Sequence, residues 1–333
     1  MSFPFWRMCI AYLMVSLLDS AVLVAAISDG TIVLRMKWLP QAQFAGYYVA
    51  LEKGFYADEG IPNVHVESMV VENSVMEPLL DGQVDFCVDW LPNAIIQRDR
   101  GREVVCLMQL FQKSSLLFVA HRGSEIRSID DLHGKPVQIW MSDAAIMPRL
   151  FLKRQGVEPD LIPLGSSLSP FLRKAVAAVS ATTYNEYHML IEGGVRPQDI
   201  VSIVPGNLGF DYPEDGLYCM KETFREHPEL CQKVVRASLR GWTFALDPKN
   251  ERETIDIIMR QIAEAKHITN DNHQTQMLRK IREFVTHRVG PDTTKWGKLS
   301  KQDYEHTVEL LKQSEAITHS VPFEEFYPPH SLP

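Results

Sequence analysis

The chain has 333 residues, of which 45% are hydrophobic and 23% charged, and its mean hydropathy is -0.12. Such a composition excludes a disordered, collagenous or coiled-coil chain and a multi-span membrane protein, and the length suits one large domain or two lobes with real cores. With 34 Lys and Arg against 42 Asp and Glu, the net charge of -8 gives the whole chain no electrostatic footprint for nucleic acid or an anionic membrane surface.

Residues 1–26 differ from the rest. Arg7 and the amino terminus make a small positive end, an apolar run extends from Met8 to Leu18, and a second apolar stretch closes at Ala25-Ala26. This is the pattern of a secretory signal peptide, with cleavage expected after Ala26 and Val24 at the minus-three position. The alternative is a retained signal anchor, against which Asp19 argues, since an acid near the centre of a span costs roughly 2.5–3.5 kcal/mol. Cys9 lies too early and lacks the Leu-x-x-Cys context of a lipoprotein. Soluble export to the periplasm is the expectation. Cys87, Cys106, Cys219 and Cys231 then remain. An even count in an exported chain permits two disulfides, but a domain of this size does not need them. Cys87 and Cys106 fall in strand-like apolar runs and read as small core residues.

Short apolar runs alternate with amphipathic ones, predicting an α/β architecture. A strand is expected over 31–36 and a helix over 43–53, with Phe44, Tyr47, Tyr48 and Leu51 at helical spacing and Gly54 as a left-handed cap. Val64 and Val66 alternate as in a strand. A helix through Val75, Leu79 and Leu80 stops at Asp81-Gly82, and then come a strand from Val84, a helix over 91–100 capped by Gly101, and a strand from Val104. The run 116–120 reads as a strand leaving this first unit. Ser128-x-x-Asp131 makes a capping box, and Gly134-Lys135-Pro136 turns the chain into a strand over 137–140. A second, similar unit follows to about Asp211. Leu172, Val176 and Val179 echo Leu80, Val84 and Val88. Beyond 217–220 the texture is helical, over Pro228–Leu246, Glu251–Glu264, 272–287 and 300–312. The proline-rich tail from 322 is expected as irregular chain on the surface. These patterns place lobe 1 at 27–119 plus 217–333 and lobe 2 at 120–216, with crossings near 118–122 and 212–218.

Enzyme signatures are thin. No Gly-x-Ser-x-Gly elbow, His-Glu-x-x-His helix, Walker loop or Rossmann glycine fingerprint occurs. The 11 histidines are scattered, and His267 and His273 miss the i, i+4 spacing of a metal-binding helix face. Nothing calls for a metal or a cofactor. What stands out is aromatic and polar residues at strand ends: Trp38 with Gln41 and Gln43, Asp89-Trp90, Trp140, and Tyr184-Asn185-Glu186. Ligands of open α/β sheets sit at the carboxyl ends of strands, where rings form flat walls and a carboxylate or amide sets orientation. Each of these residues could instead fill the core beneath the loops.

Four segments carry a resemblance: Lys37-Trp38-Leu39-Pro40 with 44–56, Leu80-Asp81-Gly82-Gln83-Val84-Asp85-Phe86, Tyr184-Asn185-Glu186-Tyr187, and Glu214-Asp215-Gly216-Leu217-Tyr218. Over residues 31–245 the chain resembles the thiamine-pyrimidine-precursor-binding (thiamine pyrimidine synthase-like) solute receptors of ABC importers, relatives of the nitrate, sulfonate and taurine receptors. The resemblance implies a two-lobed type II periplasmic binding protein, each lobe a mixed sheet flanked by helices. It further implies a monomer that hands its ligand to an ABC permease with its ATPase. The Tyr-Asn-Glu segment points to an aminopyrimidine of the formylaminopyrimidine or hydroxymethylpyrimidine type. Glu186 would accept from the exocyclic amine while Trp38, Trp90 or Trp140 stacks on the ring, and Tyr47 and Asp215 complete the expected set. Glu186 could instead be a helix-start acid favoured by the macrodipole. A receptor for sulfonate or nitrate remains a further alternative. One departure is Ala177, where the family carries an acid like Asp85 of the first unit, which is expected to loosen the turn. The resemblance also touches an enzyme that makes the thiamine pyrimidine from its own histidine and a lysine-bound pyridoxal phosphate. At those two positions this chain has Asp89 and Asn93, which favours a binder over an enzyme.

Overall fold

The structure, a computed structural model, describes residues 30–68, 74–165, 167–329 and 331. The signal segment expected at 1–26 lies outside them. Among the described residues no helix is long and apolar enough to cross a membrane.

Ten strands form, β1 (Ile32–Met36), β2 (Val64–Ser68), β3 (Phe86–Trp90), β4 (Val104–Gln109), β5 (Leu116–His121), β6 (Pro136–Trp140), β7 (Asp160–Leu164), β8 (Ala178–Thr182), β9 (Ile200–Ile203) and β10 (Asp215–Met220). They make two sheets of five strands, ordered β2-β1-β3-β10-β4 and β7-β6-β8-β5-β9. In the first, β1 runs parallel to β2 and β3, and β10 runs antiparallel to β3 and β4. The second repeats this design, with β6 parallel to β7 and β8, and β5 antiparallel to β8 and β9. The weak echo in the sequence is therefore a structural repeat.

The second sheet is built from the consecutive strands β5 to β9, whereas the first takes β10 from beyond the second crossing. β5, the first strand after one crossing, lies between β8 and β9, and β10, the first after the other, lies between β3 and β4. The expected lobe limits at 119 and 217 thus fall inside strands, β5 and β10, that each pair wholly within one sheet. The crossings are instead 110–115 and 204–214. A run such as 116–120 is apolar on both faces, so its pattern identifies a buried strand without saying which sheet receives it.

The repeat explains the missing acid. In the turn before β3, Asp85 N–H donates to the Val33 carbonyl at 3.1 Å, and Val33 N–H donates back to Asp85 Oδ2 at 2.8 Å. In the turn before β8, Ala177 N–H donates to the Pro136 carbonyl at 2.8 Å. Pro136 stands where Val33 stands and has no N–H to offer, so a carboxylate at 177 would have nothing to accept. The turn is closed without it, and the expected loosening is absent.

The helices Pro228–Leu246 and Glu251–Glu264 begin and end where their patterns place them. Pro228–Leu246 turns Cys231, Val234, Val235, Ser238, Trp242 and Ala245 inward, the 3–4 spacing of one apolar face. It crosses the helix Ala45–Glu52 at a glycine contact. A Cβ on Gly241 would fall 1.9 Å from the Gly46 carbonyl oxygen. The tail differs from expectation: Phe323–Phe326 is a short helix whose Phe326 is fully buried, stacked at 5.0 Å on Tyr304. Its aromatic rings find apolar partners, which outweighs the irregularity that its prolines suggest. All four described cysteines are buried free thiols.

Candidate ligand-binding cleft

The parallel strands of both sheets aim their carboxyl ends at one cleft. β1 delivers Lys37 and Trp38, and β3 ends in Asp89 and Trp90. Across the gap, β6 ends in Trp140, and β8 ends in Thr182, followed by Tyr184, Asn185 and Glu186. The edge of Trp90 meets Trp140 at 6.3 Å between ring centroids and 67° between planes, so the two lobes touch through indoles.

Eight of the ten residues expected at the site line this cleft: Trp38, Gln43, Asp89, Trp90, Trp140, Tyr184, Asn185 and Glu186. Asp215 stands behind the wall. It accepts from Gln43 Nε2 at 2.7 Å and lies 3.3 Å from Lys37 Nζ. Tyr47 is a core residue, packed edge-on against Trp242 at 5.7 Å. Its helical spacing with Phe44, Tyr48 and Leu51 carried that message already.

Gln41, named with Trp38 at its strand end, lines the cleft too, and so do Lys37, Asn93, Asp143 and Thr182, which the sequence did not mark as ligand contacts. Asn93 had a signal, since it lies in the first turn of the helix that directly follows the Asp89-Trp90 strand end. Lys37 is buried, with its ammonium 3.6 Å above the Trp90 ring and paired to Asp215. The one lining lysine is thus held by the protein itself.

The carboxylates differ in what they leave free. Glu186 Oε2 accepts from Thr182 N–H at 2.8 Å and Thr182 Oγ1 at 2.7 Å. Its Oε1 accepts from Asn185 Nδ2 at 3.1 Å and Trp140 Nε1 at 3.4 Å. Asp89 Oδ1 accepts from Trp90 N–H at 2.7 Å and Asn93 Nδ2 at 3.0 Å. Asp89 Oδ2 and Asn93 Oδ1 are buried without a partner. An acceptor left so costs about 1–3 kcal/mol, which marks this pair as waiting for donors. Burial, and then the nearby Asp143 charge, push the Asp89 carboxyl up to about 7. Burial likewise raises Asp215, with Lys37 and Gln43 pulling the other way.

Both sides of the cleft are tied across the lobes. Asp143 Oδ2 accepts from Ser74 Oγ at 2.7 Å and from Val75 N–H at 3.3 Å, and His273 Nε2 lies 2.9 Å from Asn185 Oδ1. Among the described residues, no group of three His, Cys, Asp or Glu side chains could hold a metal ion.

Two lobes, each a mixed five-stranded sheet with one antiparallel strand set inside it, around such a cleft define a periplasmic binding-protein fold of type II, a mixed α/β architecture. The chain belongs to the family described as NMT1/THI5 like, which it matches over residues 41–251. It is 28% identical over 245 residues to the riboflavin-binding protein RibY of Chloroflexus aurantiacus, covering 71% of this chain and 67% of that protein. It is 22% identical over 297 residues to the formylaminopyrimidine-binding protein of Halalkalibacterium halodurans, covering 84% of each. The periplasmic aliphatic sulphonate binding protein SsuA from Escherichia coli shares its fold with a TM-score of 0.65 at 12% identity, over 89% of this chain and 97% of that one. Structural neighbours are mostly binding proteins, with a desulfurization enzyme among them.

Proposed function

We propose that the chain is an exported, periplasmic solute receptor of an ABC importer that binds a thiamine-type aminopyrimidine and delivers it to a permease and its ATPase. The observation that carries this reading is the pair of unpartnered acceptors, Asp89 Oδ2 and Asn93 Oδ1, in a cleft walled by Trp38, Trp90 and Trp140. An exocyclic amine supplies two N–H donors, and the indoles supply faces for a flat ring. The resemblance and the formylaminopyrimidine-binding relative support the same ligand class.

An anionic sulfonate or nitrate fits poorly. It would face Asp89, Asp143 and Glu186, with Lys37 the only lysine or arginine among the described lining residues and already paired to Asp215. Binder is favoured over enzyme because Asp89 and Asn93 occupy the positions where the resembling synthase carries its reactive lysine and histidine. Neither side chain forms a Schiff base or donates an imidazole. A second reading, a flavin, draws support from the riboflavin-binding relative.

Titration calorimetry of the mature chain with formylaminopyrimidine, hydroxymethylpyrimidine, riboflavin and an alkanesulfonate tests the assignment. Saturable binding of a pyrimidine alone is expected. Binding of the sulfonate alone would overturn the reading, and binding of riboflavin alone would replace it with the flavin.

A further inference from the structure

The Asn185 amide is fixed on both ends. Its Nδ2 donates to Glu186 Oε1 at 3.1 Å, so Oδ1 must be the atom facing His273 Nε2 at 2.9 Å. An oxygen there requires a donor, which places a proton on Nε2. The ring cannot easily turn away. His273 is only 5% exposed, and its own N–H donates to Asn270 Oδ1 at 2.9 Å, the cap of the helix Asp271–Val285. Its other nitrogen, Nδ1, lies 3.4 Å from Glu192 Oε2, and Asn272 Nδ2 reaches Glu192 Oε1 at 3.4 Å.

These contacts join different lobes. Asp271–Val285 packs on the first-lobe helices Pro228–Leu246 and Glu251–Glu264 and on the turn Ala42–Phe44, whereas Asn185, Glu186 and Glu192 follow β8 of the second sheet. Asn185 and Glu186 line the cleft, but His273 does not. From outside the cleft, then, one imidazole holds the segment that forms part of its far wall.

We infer that His273 is a positioning residue, a clasp that holds Asn185, and through it Glu186, in the closed arrangement of the cleft. The inference rests on the cleft being the ligand site. It predicts that the clasp slows ligand escape, because opening the lobes must first break the Nε2–H to Oδ1 bond.

The test compares the full mature chain with His273→Ala, His273→Gln and His273→Asn. Glutamine can place an amide N–H where imidazole Nε2 donates, whereas the shorter asparagine amide reaches only to the Nδ1 position. Formylaminopyrimidine dissociation by stopped flow should be about fivefold faster in the Ala variant (~1 kcal/mol at 1.4 kcal/mol per decade). The Gln variant should restore the parental rate and the Asn variant should not. Small-angle scattering without ligand should show a larger radius of gyration for Ala and Asn, and the parental value for Gln. Circular dichroism checks folding; if Ala does not fold, Gln against Asn carries the comparison. Equal behaviour of Gln and Asn, or parental rates and scattering in Ala, would overturn the clasp. If the parent binds no pyrimidine, the ligand assignment falls, while the scattering series still decides the clasp.

Discussion

The Glu214 carboxylate receives both the backbone N–H and the hydroxyl of Ser115, each at 2.7 Å, and so ties one lobe crossing to the other. Ser114 Oγ adds a third donor at 3.0 Å. Glu214 is fully buried, and burial lifts its carboxyl from the ordinary 4.5 to about 7 against the opposing pull of Lys37 and Ser115.

Glu214→Gln should therefore remove a pH dependence of stability. Below the unfolded value both states hold the proton; between 4.5 and about 7 the folded state holds it and the unfolded state does not. The parent should lose stability relative to the variant as pH rises through that window, by on the order of 2–3 kcal/mol, and the difference should be flat above it. Denaturant midpoints for both proteins from pH 4.5 to 8 check the sign. A constant difference would contradict it.

If Asp89 accepts from the ligand as proposed, the same chemistry should make it govern affinity. Only its ionised form offers Oδ2 purely as an acceptor, and its carboxyl titrates near 7. Aminopyrimidine affinity should fall as pH drops from 8 to 6, whereas Asp89→Asn should bind ~10-fold or more weakly with a flatter profile, since charge-assisted bonds contribute about 1.5–3 kcal/mol. A pH series of calorimetric titrations decides the point.

Glu186→Gln should act differently. Its oxygens already serve Thr182, Asn185 and Trp140, so the substitution puts an amide N–H against a donor. Loss of affinity should come with loss of thermal stability, roughly 1–3 kcal/mol for a buried polar mismatch. Weakened binding at unchanged stability would instead give Glu186 a direct hydrogen bond to the ligand.

The two repeat turns make a reciprocal test. Ala177→Asp should destabilise modestly, by about 1 kcal/mol or less, because the half-buried carboxylate finds no donor at Pro136 and is left to water. Adding Pro136→Val supplies an N–H and should recover most of the loss. Urea denaturation of the single and double variants would show whether the coupling exists.

Gly241→Ala should be among the most damaging small substitutions. Its Cβ would meet the Gly46 carbonyl at 1.9 Å, a contact with backbone that no rotamer relieves. Overpacking costs typically 1–3 kcal/mol, and the upper end is expected in a melting experiment.

The sequence made the helices legible where one apolar face dominates, as in Pro228–Leu246, because a 3.6-residue period needs no tertiary information. It made the strand-end residues legible for a similar reason: Asp89-Trp90 and Trp140 are polar or amphipathic groups closing apolar runs. Sheet membership was beyond it. The run 116–120 carries no mark that β8 and β9, rather than β4, will flank it. Nor could it show that Glu186 is saturated by local donors while Asp89 keeps a bare oxygen. That difference depends on which donors the folded chain brings within 3 Å, and the polar atoms of Thr182 and Asn93 look equivalent in a string of letters.

The strand that returns from beyond the second crossing also sets the order in which the molecule can become complete. In the first sheet, β3 and β4 are separated by the place of β10, which ends at Met220. No amount of N-terminal chain can fill that place. Until two thirds of the polypeptide has emerged, the first lobe therefore lacks its fourth strand and must wait as an unfinished sheet, with the entropy of a long loop still to be overcome. A lobe arranged in this way can close its sheet only late in synthesis, an order that would suit the export proposed above.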